Sequence, residues 1–508
     1  MMVAESRIAR VTLAGLLQEL CDSVSLPQLE VTGLATDSRA VREGDLFLAV
    51  QGLQTHGLRF ARQALQQGAA AVLWEPVADA TLQRIAASLD VPVVAVNGLG
   101  HKLGRIADRF YGHPTGQLRV IGVTGTDGKT SVTHFIAQSF SALGQRCGLL
   151  GTLGYGVYGE LRSPTHTTPD ALRLQTEFAA LRDRGVRQAA MEVSSHALHQ
   201  QRTAGVLFHT AVLTHLSRDH LDYHGSVEAY TEAKRQLFLS PGLGCAVLNV
   251  ADDFGRSLAQ ELRQQLRVIA YQGGAGAAAR EYAEWLMLRS VEPLERGLRL
   301  RLDSSWGAAE FEAPLLGAFN AENLLAATGA LLAAGVPLDT AARGLARVTT
   351  VAGRMELFSI PGAPRVVVDY AHTPHALESA LTALRPHCTG ELLCVFGAGG
   401  DRDPGKRPQM GAAAERCADR VILTSDNPRS EDPQAILDQI LAGFAEPARA
   451  MCVPERAEAI EAAIRSAAPD DLVLVAGKGH EDYQEIGSTR HTFSDRVQVE
   501  SELRRLGQ

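Results

Sequence analysis

The sequence predicts an α/β protein of three domains, with largely parallel sheets in the second and third. Three observations carry that expectation. A chain of 508 residues is long for one or two cores, since a domain usually holds about 100–200 residues. Apolar runs of strand length alternate with segments of helical periodicity along most of it. Aromatic residues make up only 5% beside abundant alanine and glycine, a composition that lets helices pack closely on a sheet.

Residues 1–112 read as a small α/β domain. Apolar spacing predicts a helix over 11–20, and residues 33–39 read as a turn after a short strand. Strands are expected at 45–50, 70–74 and 91–96, with a helix over 60–68. Asp37, Ser38 and Arg39 are either ordinary turn residues or a grip on a polar head group. Tyr111-Gly-His-Pro114 punctuates the chain and marks a boundary after residue 112.

The second domain, 113–350, opens on the stretch around which the chain is organised. Leu118, Val120, Ile121 and Val123 form an apolar run, and Val132, Phe135, Ile136, Phe140 and Leu143 recur at helical spacing. Between them lies Gly122-Val-Thr-Gly-Thr-Asp-Gly-Lys-Thr130-Ser131. Strand, glycine turn and helix is the context of a phosphate-binding loop. Glycines let backbone N–H groups approach phosphate oxygens, and the helix N-terminus adds positive potential. Lys129 is then placed at the outer phosphates and the Thr130 hydroxyl on Mg2+. Val123 stands where the strict G-x-x-x-x-G-K-[ST] pattern has its first glycine, so the form here is G-x-x-G-x-x-G-K-T. A strand over 188–193 ends in Glu192-Val-Ser-Ser-His196, and one over 211–213 ends in a run that includes His215, His220 and His224. Ligands gather at the carboxyl ends of strands in open parallel sheets, and a carboxylate with imidazoles there suits a divalent cation. A helix over 227–239 carries Lys234, which by itself is an ordinary helix lysine.

Residues 350–353 read as a linker. Strands at 365–368, 392–396, 420–423 and 472–475 alternate with helices, giving a doubly wound third domain, 351–508. Polar clusters follow three of them: Gly399-Gly-Asp-Arg402, Asp426-Asn-Pro-Arg429 and Gly477-Lys-Gly-His-Glu481. Two arginines and a carboxylate at one mouth suit a zwitterionic ligand. Turn chemistry accounts for the Gly, Asn and Pro residues equally well, but not for charges at successive strand ends.

Composition removes several classes. The net charge of −8 offers nucleic acid or anionic lipid no general footing. Seven cysteines without a C-x-x-C pair argue against a zinc site or disulfide framework and suit a reducing compartment. No run reaches the about 18 apolar residues of a membrane span, so the expectation is a soluble, cytoplasmic protein.

Taken together, these motifs resemble the Mur ligases. The resemblance runs through the phosphate loop, His166-Thr-Thr-Pro-Asp170, Glu-Val-Ser-Ser-His-Ala-Leu198, Arg-Asp-His-Leu-Asp-Tyr-His-Gly225 and Glu-Ala-Lys234. It continues in Gly317-Ala-Phe-Asn-Ala-Glu-Asn323, Gly-Arg-Met-Glu356 and Asp-Tyr-Ala-His-Thr-Pro374, in the family's order. It implies a small N-terminal UDP-binding domain, a central ATPase-type domain and a Rossmann-like C-terminal domain. The match is closest to members adding the third residue of the cell-wall peptide, and Asp426-Asn-Pro-Arg429 points to those adding meso-diaminopimelate rather than lysine.

The family's contacts carry over position by position. Lys129, Glu192, His220 and Lys234 are the implied catalytic residues, with Thr130, Glu192, His220 and a carbamylated Lys234 around Mg2+. ATP meets Gly122, Thr124, Gly125, Thr126, Asp127, Gly128, Lys129, Thr130 and Ser131, with Asn320, Arg354 and Asp369. UDP-MurNAc-L-Ala-D-Glu meets Thr36, Ser38, Leu53, Gln54, Thr55, Thr167, Thr168, Ser194, Gln200 and Arg202. Diaminopimelate meets Arg402, Asp426, Asn427, Pro428, Arg429, Gly477 and Glu481. The resemblance implies a monomer without nucleic-acid partners. His215, Asp127 and His375 depart from the family's usual Asn, Asn and Asp. A lysine-adding Mur ligase or a folylpolyglutamate-type ligase is the related alternative. A nucleotide-dependent switch is the alternative outside the class, but it lacks an Asn-Lys-x-Asp signature here.

Overall fold

The computed structural model describes residues 11–21, 26–52, 55–162, 166–217, 220–274 and 276–507. Contacts divide the chain into two compact units, Met1–Gln272 with Gly276–Leu286 and Ala326–Pro337, and Gly273–Ala275 with Met287–Leu325 and Leu338–Gln508.

Among its described residues the first unit holds a short antiparallel pair, Val11–Thr12 with Glu30–Val31, and two larger sheets. Gly33–Ala35, Asp45–Ala49, Ala71–Trp74 and Val93–Ala95 pair in sequence order, all parallel. The helix expected over 11–20 is only Leu13–Leu17, after the short strand Val11–Thr12. Thr12 caps it through Gly15 N–H at 3.2 Å, and Glu19 beyond its end takes a left-handed conformation (φ 61) that a helix cannot continue through.

The second sheet of this unit runs Gly154–Val157, Cys147–Gly151, Gln188–Glu192, Arg119–Thr124, Phe208–Leu213, Cys245–Asn249 and Arg267–Gln272. All pairs are parallel except the first. The phosphate-loop strand Arg119–Thr124 is fully buried after its first residue, as an apolar run between two parallel neighbours requires. Register aligns its end with both neighbours, Val123 opposite Glu192 and Thr124 opposite Leu213. Polar residues following three strands therefore meet at one edge. The helix over 227–239 ends earlier, as Val227–Arg235, while Leu237 and Phe238 stay buried after it.

The second unit contains a six-stranded sheet ordered Glu356–Phe358, Arg365–Asp369, Leu472–Ala476, Leu392–Phe396, Arg420–Leu423 and Ala450–Cys452. Alternate residues face opposite sides, as the period of two demands. Val366, Val368, Val395 and Val473 pack against helices Arg456–Ser466 and Asp495–Leu506. Val367, Cys394, Leu423 and Leu474 pack against helices Pro374–Leu384, Lys406–Cys417 and Pro433–Leu441. This is the doubly wound arrangement expected. Sequence reasoning misses the antiparallel pair Gly297–Ser304 and Gly307–Ala313, whose exposed side is an Arg–Glu ladder. All seven cysteines are free thiols. Among the described residues no helix is long and apolar enough to cross a membrane.

Candidate functional site

At the phosphate loop the chain turns at Gly125 and Gly128 (φ 150 and 83) and enters helix Lys129–Ala142. Two neighbours brace the loop. Thr126 N–H donates to the His215 carbonyl at 2.7 Å, and the Thr214 hydroxyl donates to the Asp127 carbonyl at 2.6 Å. Lys129 Nζ folds back onto the carbonyls of Gly125 (3.0 Å) and Thr126 (2.8 Å). Asp127 itself is exposed.

Glu192 is the buried anion beside this loop. Its carboxylate accepts the Thr130 hydroxyl at 2.9 Å, the Thr152 N–H at 2.8 Å and the Thr152 hydroxyl at 3.1 Å. Gly151 is required at the neighbouring strand end, because a Cβ there would lie 2.2 Å from Glu192 Oε1. Burial pushes the Glu192 carboxyl above its ordinary range, against the hydrogen bonds and the Lys129 charge. A buried carboxylate touching a hydroxyl at a phosphate-loop mouth is a hard-oxygen donor set, which fits Mg2+. Among the described residues no group of three or more His, Cys, Asp or Glu side chains is arranged to hold a metal.

Sequence reasoning misses Thr152, whose one local signal is Gly151, the last residue of the apolar strand before it. Thr152 also bonds the Thr167 hydroxyl at 3.1 Å. Thr168 donates to the Glu192 carbonyl at 2.9 Å and accepts the Ser194 N–H at 3.2 Å, while Arg202 reaches the Thr168 carbonyl and the Gln200 side chain. The structure thus brings together Lys129, Thr130, Glu192, Thr167, Thr168, Ser194, Gln200 and Arg202. Lys234, almost fully buried, donates to the Gly125 carbonyl at 2.6 Å and lies 4.5 Å from the centre of the Tyr230 ring. His220 (φ 50) sits in an aromatic cluster with His196, Tyr230 and, through His196, Tyr223. His215 faces Asp252 at 3.6 Å.

In the N-terminal sheet, exposed Thr36 follows strand Gly33–Ala35, and buried Ser38 donates to Gln63 at 2.9 Å. Asp37 and Arg39 pair with one another, which holds the Asp37 carboxyl at about 2. Thr55 borders a cavity of about 320 Å3 with Gln51, His56, Arg59 and Asp79. Leu53 and Gln54 lie outside the described residues.

The second unit carries the remaining residues. Both Asp369 oxygens accept backbone N–H groups, from Met355 and Ala371 at 2.8 Å, and the Arg354 guanidinium lies 4.6 Å from the Tyr370 ring centre. Burial raises the Asp369 carboxyl. The Asn320 amide donates to the Leu316 carbonyl at 2.9 Å and accepts from Asn323 at 3.1 Å.

Three strand-end loops of this unit interlock. Gly400 N–H donates to the Asn427 carbonyl at 2.9 Å, so close that a Cβ on Gly400 would lie 1.9 Å from the Pro428 oxygen. Buried Arg456 donates to Asp495 (2.6 and 2.7 Å), to the Ser425 carbonyl (3.2 Å) and to the Ala476 carbonyl (2.9 Å), which fixes the residues just before Asp426 and Gly477. Arg407, equally buried, grips Glu431 with two bonds and holds its carboxyl at about 2, while Glu431 accepts Asp401 N–H. Asn427 donates to Glu481 at 3.0 Å. Buried Lys478 joins both, 2.9 Å from Asn427 Oδ1 and 3.1 Å from Glu481. Lys478 is the second residue the motif reading passed over, since nothing in its spacing says that it is buried. Arg402 is exposed, next to Gly399. Arg429 donates to the Gly400 carbonyl at 2.8 Å and to Glu485 at 3.0 Å.

Three models of one protein family match successive stretches of the chain. The Mur ligase family catalytic domain matches residues 30–111, the Mur ligase middle domain 123–331, and the Mur ligase glutamate ligase domain 353–479. The UDP-N-acetylmuramoyl-L-alanyl-D-glutamate–2,6-diaminopimelate ligase of Alkalilimnicola ehrlichii is 52% identical over 489 residues, 95% of this chain and 97% of that one. That of Pseudomonas aeruginosa is 50% identical over 94% of this chain and 96% of its own. A solved structure of a ligase with the same name is 35% identical, with a TM-score of 0.76, and covers 98% of this chain and 100% of that one.

Proposed function

The chain belongs to the Mur ligase family, and from that premise we propose that it joins meso-diaminopimelate to the D-glutamate of UDP-MurNAc-L-Ala-D-Glu at the expense of ATP. The observation that carries the choice of amino acid is Arg429, presented at a strand end beside Asp426, Asn427 and Glu481. Diaminopimelate has a carboxylate where lysine has only hydrogen. Arg429 offers that charge the guanidinium donors that Glu485 and the Gly400 carbonyl do not use, and lysine leaves those donors unmatched.

The γ-phosphoryl group of ATP passes to the side-chain carboxylate of D-glutamate, giving an acyl phosphate and ADP. An amine of diaminopimelate then attacks the carbonyl carbon, the C–O bond to phosphate breaks, and amide, phosphate and a proton result. Such a transfer asks the protein for position and charge neutralisation. Lys129 leaves the Gly125 and Thr126 carbonyls for the outer phosphates, and the loop N–H groups receive the rest. Thr130 and Glu192 hold Mg2+, with His220 and carbamylated Lys234 toward a second ion; bound there, Mg2+ supplies the charge that offsets the phosphates. Thr167, Thr168, Ser194, Gln200 and Arg202, with Thr36, Ser38 and 53–55, receive the nucleotide peptide. Asn320, Arg354 and Asp369 also contact the ATP nucleotide. Arg402 takes the other carboxylate of diaminopimelate, and Asp426 and Glu481 take its ammonium groups.

The same reading divides the chain into 1–112, 113–350 and 351–508. It makes the protein a cytoplasmic monomer that serves cell-wall synthesis and through it cell shape and division. The test is phosphate release with ATP, Mg2+ and the nucleotide dipeptide, in separate tubes with meso-diaminopimelate and L-lysine. Release with diaminopimelate and the mass of the tripeptide product are expected; release that needs no amino acid would return the weight to a nucleotide switch.

A further inference from the structure

Arg429 is held by one short hairpin. Strands Tyr483–Ile486 and Thr489–Thr492 pair antiparallel, with Glu485 opposite Arg490. The hairpin brackets the Arg429 backbone on both sides: Arg429 N–H donates to the Glu485 carbonyl at 3.0 Å, and Gly487 N–H donates to the Arg429 carbonyl at 2.7 Å. Between these bonds Arg429 takes φ 51, a left-handed conformation that side chains seldom adopt and that the bracket maintains. The Glu485 carboxylate then takes the side chain, accepting Arg429 Nε–H at 3.0 Å on one oxygen and Arg490 Nε–H at 2.8 Å on the other. Glu485 N–H donates to Asn427 Oδ1 at 3.0 Å, which links the hairpin to the neighbouring side chain of the same mouth.

A guanidinium has five N–H donors in a rigid plane. Here Nε is committed to Glu485 and one Nη1 hydrogen to the Gly400 carbonyl. Two fixed donors at different corners define both the plane and its rotation, and the remaining three of the five N–H donors are left for an arriving carboxylate. Only about a fifth of either side chain is exposed, so solvent does little to loosen the pair. We propose that Glu485 is a positioning and specificity-determining residue, which sets the plane of Arg429 and so the direction from which the distal carboxylate of the amino-acid substrate is received. The inference rests on the reading of Arg429 given above. It opposes a simpler picture in which Glu485 is a resident anion competing for Arg429. Two guanidiniums and one carboxylate leave the cluster one net positive charge, and a mere competitor, once removed, would strengthen substrate binding. An orienting residue, once removed, weakens it.

The experiment measures kcat and the KM of all three substrates for Glu485→Ala, Glu485→Gln, Arg429→Ala and the double variant E485A/R429A. Glu485→Ala is expected to raise the KM for diaminopimelate about tenfold, with kcat and the other two KM values within about twofold of the parent. Glu485→Gln keeps an acceptor for Nε and the hairpin bonds, so it should recover most of that loss and should fold even if the alanine variant does not. On the Arg429→Ala background, Glu485→Ala should add nothing, because Glu485 acts through Arg429. A KM for diaminopimelate that stays level or falls in Glu485→Ala overturns the inference. So do a rise in all three KM values and an additive effect in the double variant. If Arg429→Ala itself leaves that KM unchanged, the reading of Arg429 fails as well, and the two failures are told apart.

Discussion

Replacing Asp495 by asparagine removes the counter-charge of a fully buried guanidinium. Arg456 and Asp495 are both 0% exposed and share two bonds of 2.6 and 2.7 Å. Breaking a buried pair from one side costs about 3–5 kcal/mol, because the remaining charge stays uncompensated. For a unit of roughly 200 residues each kcal/mol lowers Tm by about 2–4 °C, so Asp495→Asn should melt roughly 10 °C below the parent. The double variant R456M/D495L has no stranded charge. It still orphans the Ser425 and Ala476 carbonyls that Arg456 serves, at about 1–3 kcal/mol each if they stay dry. Together the two carbonyls cost about 2–6 kcal/mol, so the double variant should also melt well below the parent, in the same range as Asp495→Asn. The assay is thermal and urea unfolding of the three proteins, with the KM for diaminopimelate measured alongside, since those carbonyls immediately precede Asp426 and Gly477. An Asp495→Asn variant within about 1 kcal/mol of the parent would refute the reasoning.

Two further outcomes follow from other groups. Burial holds His134, on the helix after the phosphate loop, at about 4, below its ordinary 6.5. The unfolded chain takes up that proton first, so the stabilisation is complete above pH 6.5 and is lost as pH falls toward 4, about 3 kcal/mol in all. Urea titrations of parent and His134→Phe should converge or diverge by that amount across the window, and parallel curves would contradict it. Gly477 has φ 120, and a Cβ there would lie 2.4 Å from Asp426 Oδ2. Gly477→Ala should cost about 1–3 kcal/mol and raise the KM for diaminopimelate while that for ATP stays put; unchanged kinetics would show that the Asp426 loop yields freely.

What was legible in the sequence was what local pattern encodes. The phosphate loop announced itself because an apolar strand, three glycines and a helical repeat are contiguous. The strand-end clusters at 399–402, 426–429 and 477–481 were legible because a parallel sheet places its polar turns at one edge. Pairings across long separations were not. Thr152 reaches Glu192 across 40 residues, and Lys234 reaches the Gly125 carbonyl across 109, and no spacing rule connects them. Lys478 reads as a surface charge and is buried, because Glu481 and Asn427 satisfy it. The antiparallel pair at 297–313 was legible but passed over: Leu298, Leu300 and Leu302 alternate with Arg299, Arg301 and Asp303, the period of two of a half-buried strand.

The most direct test of the account compares kcat/KM for meso-diaminopimelate and L-lysine in the parent and in Arg429→Ala. Arg429 stays paired with Glu485 when lysine binds, so what lysine forgoes is the charge-assisted bonds to the distal carboxylate, about 1.5–3 kcal/mol; the parent should prefer diaminopimelate by about 10–10^2-fold, and most of that preference should vanish in the variant. A parent that accepts lysine as readily, or a variant that discriminates as well as the parent, would contradict the assignment of the amino acid to Arg429.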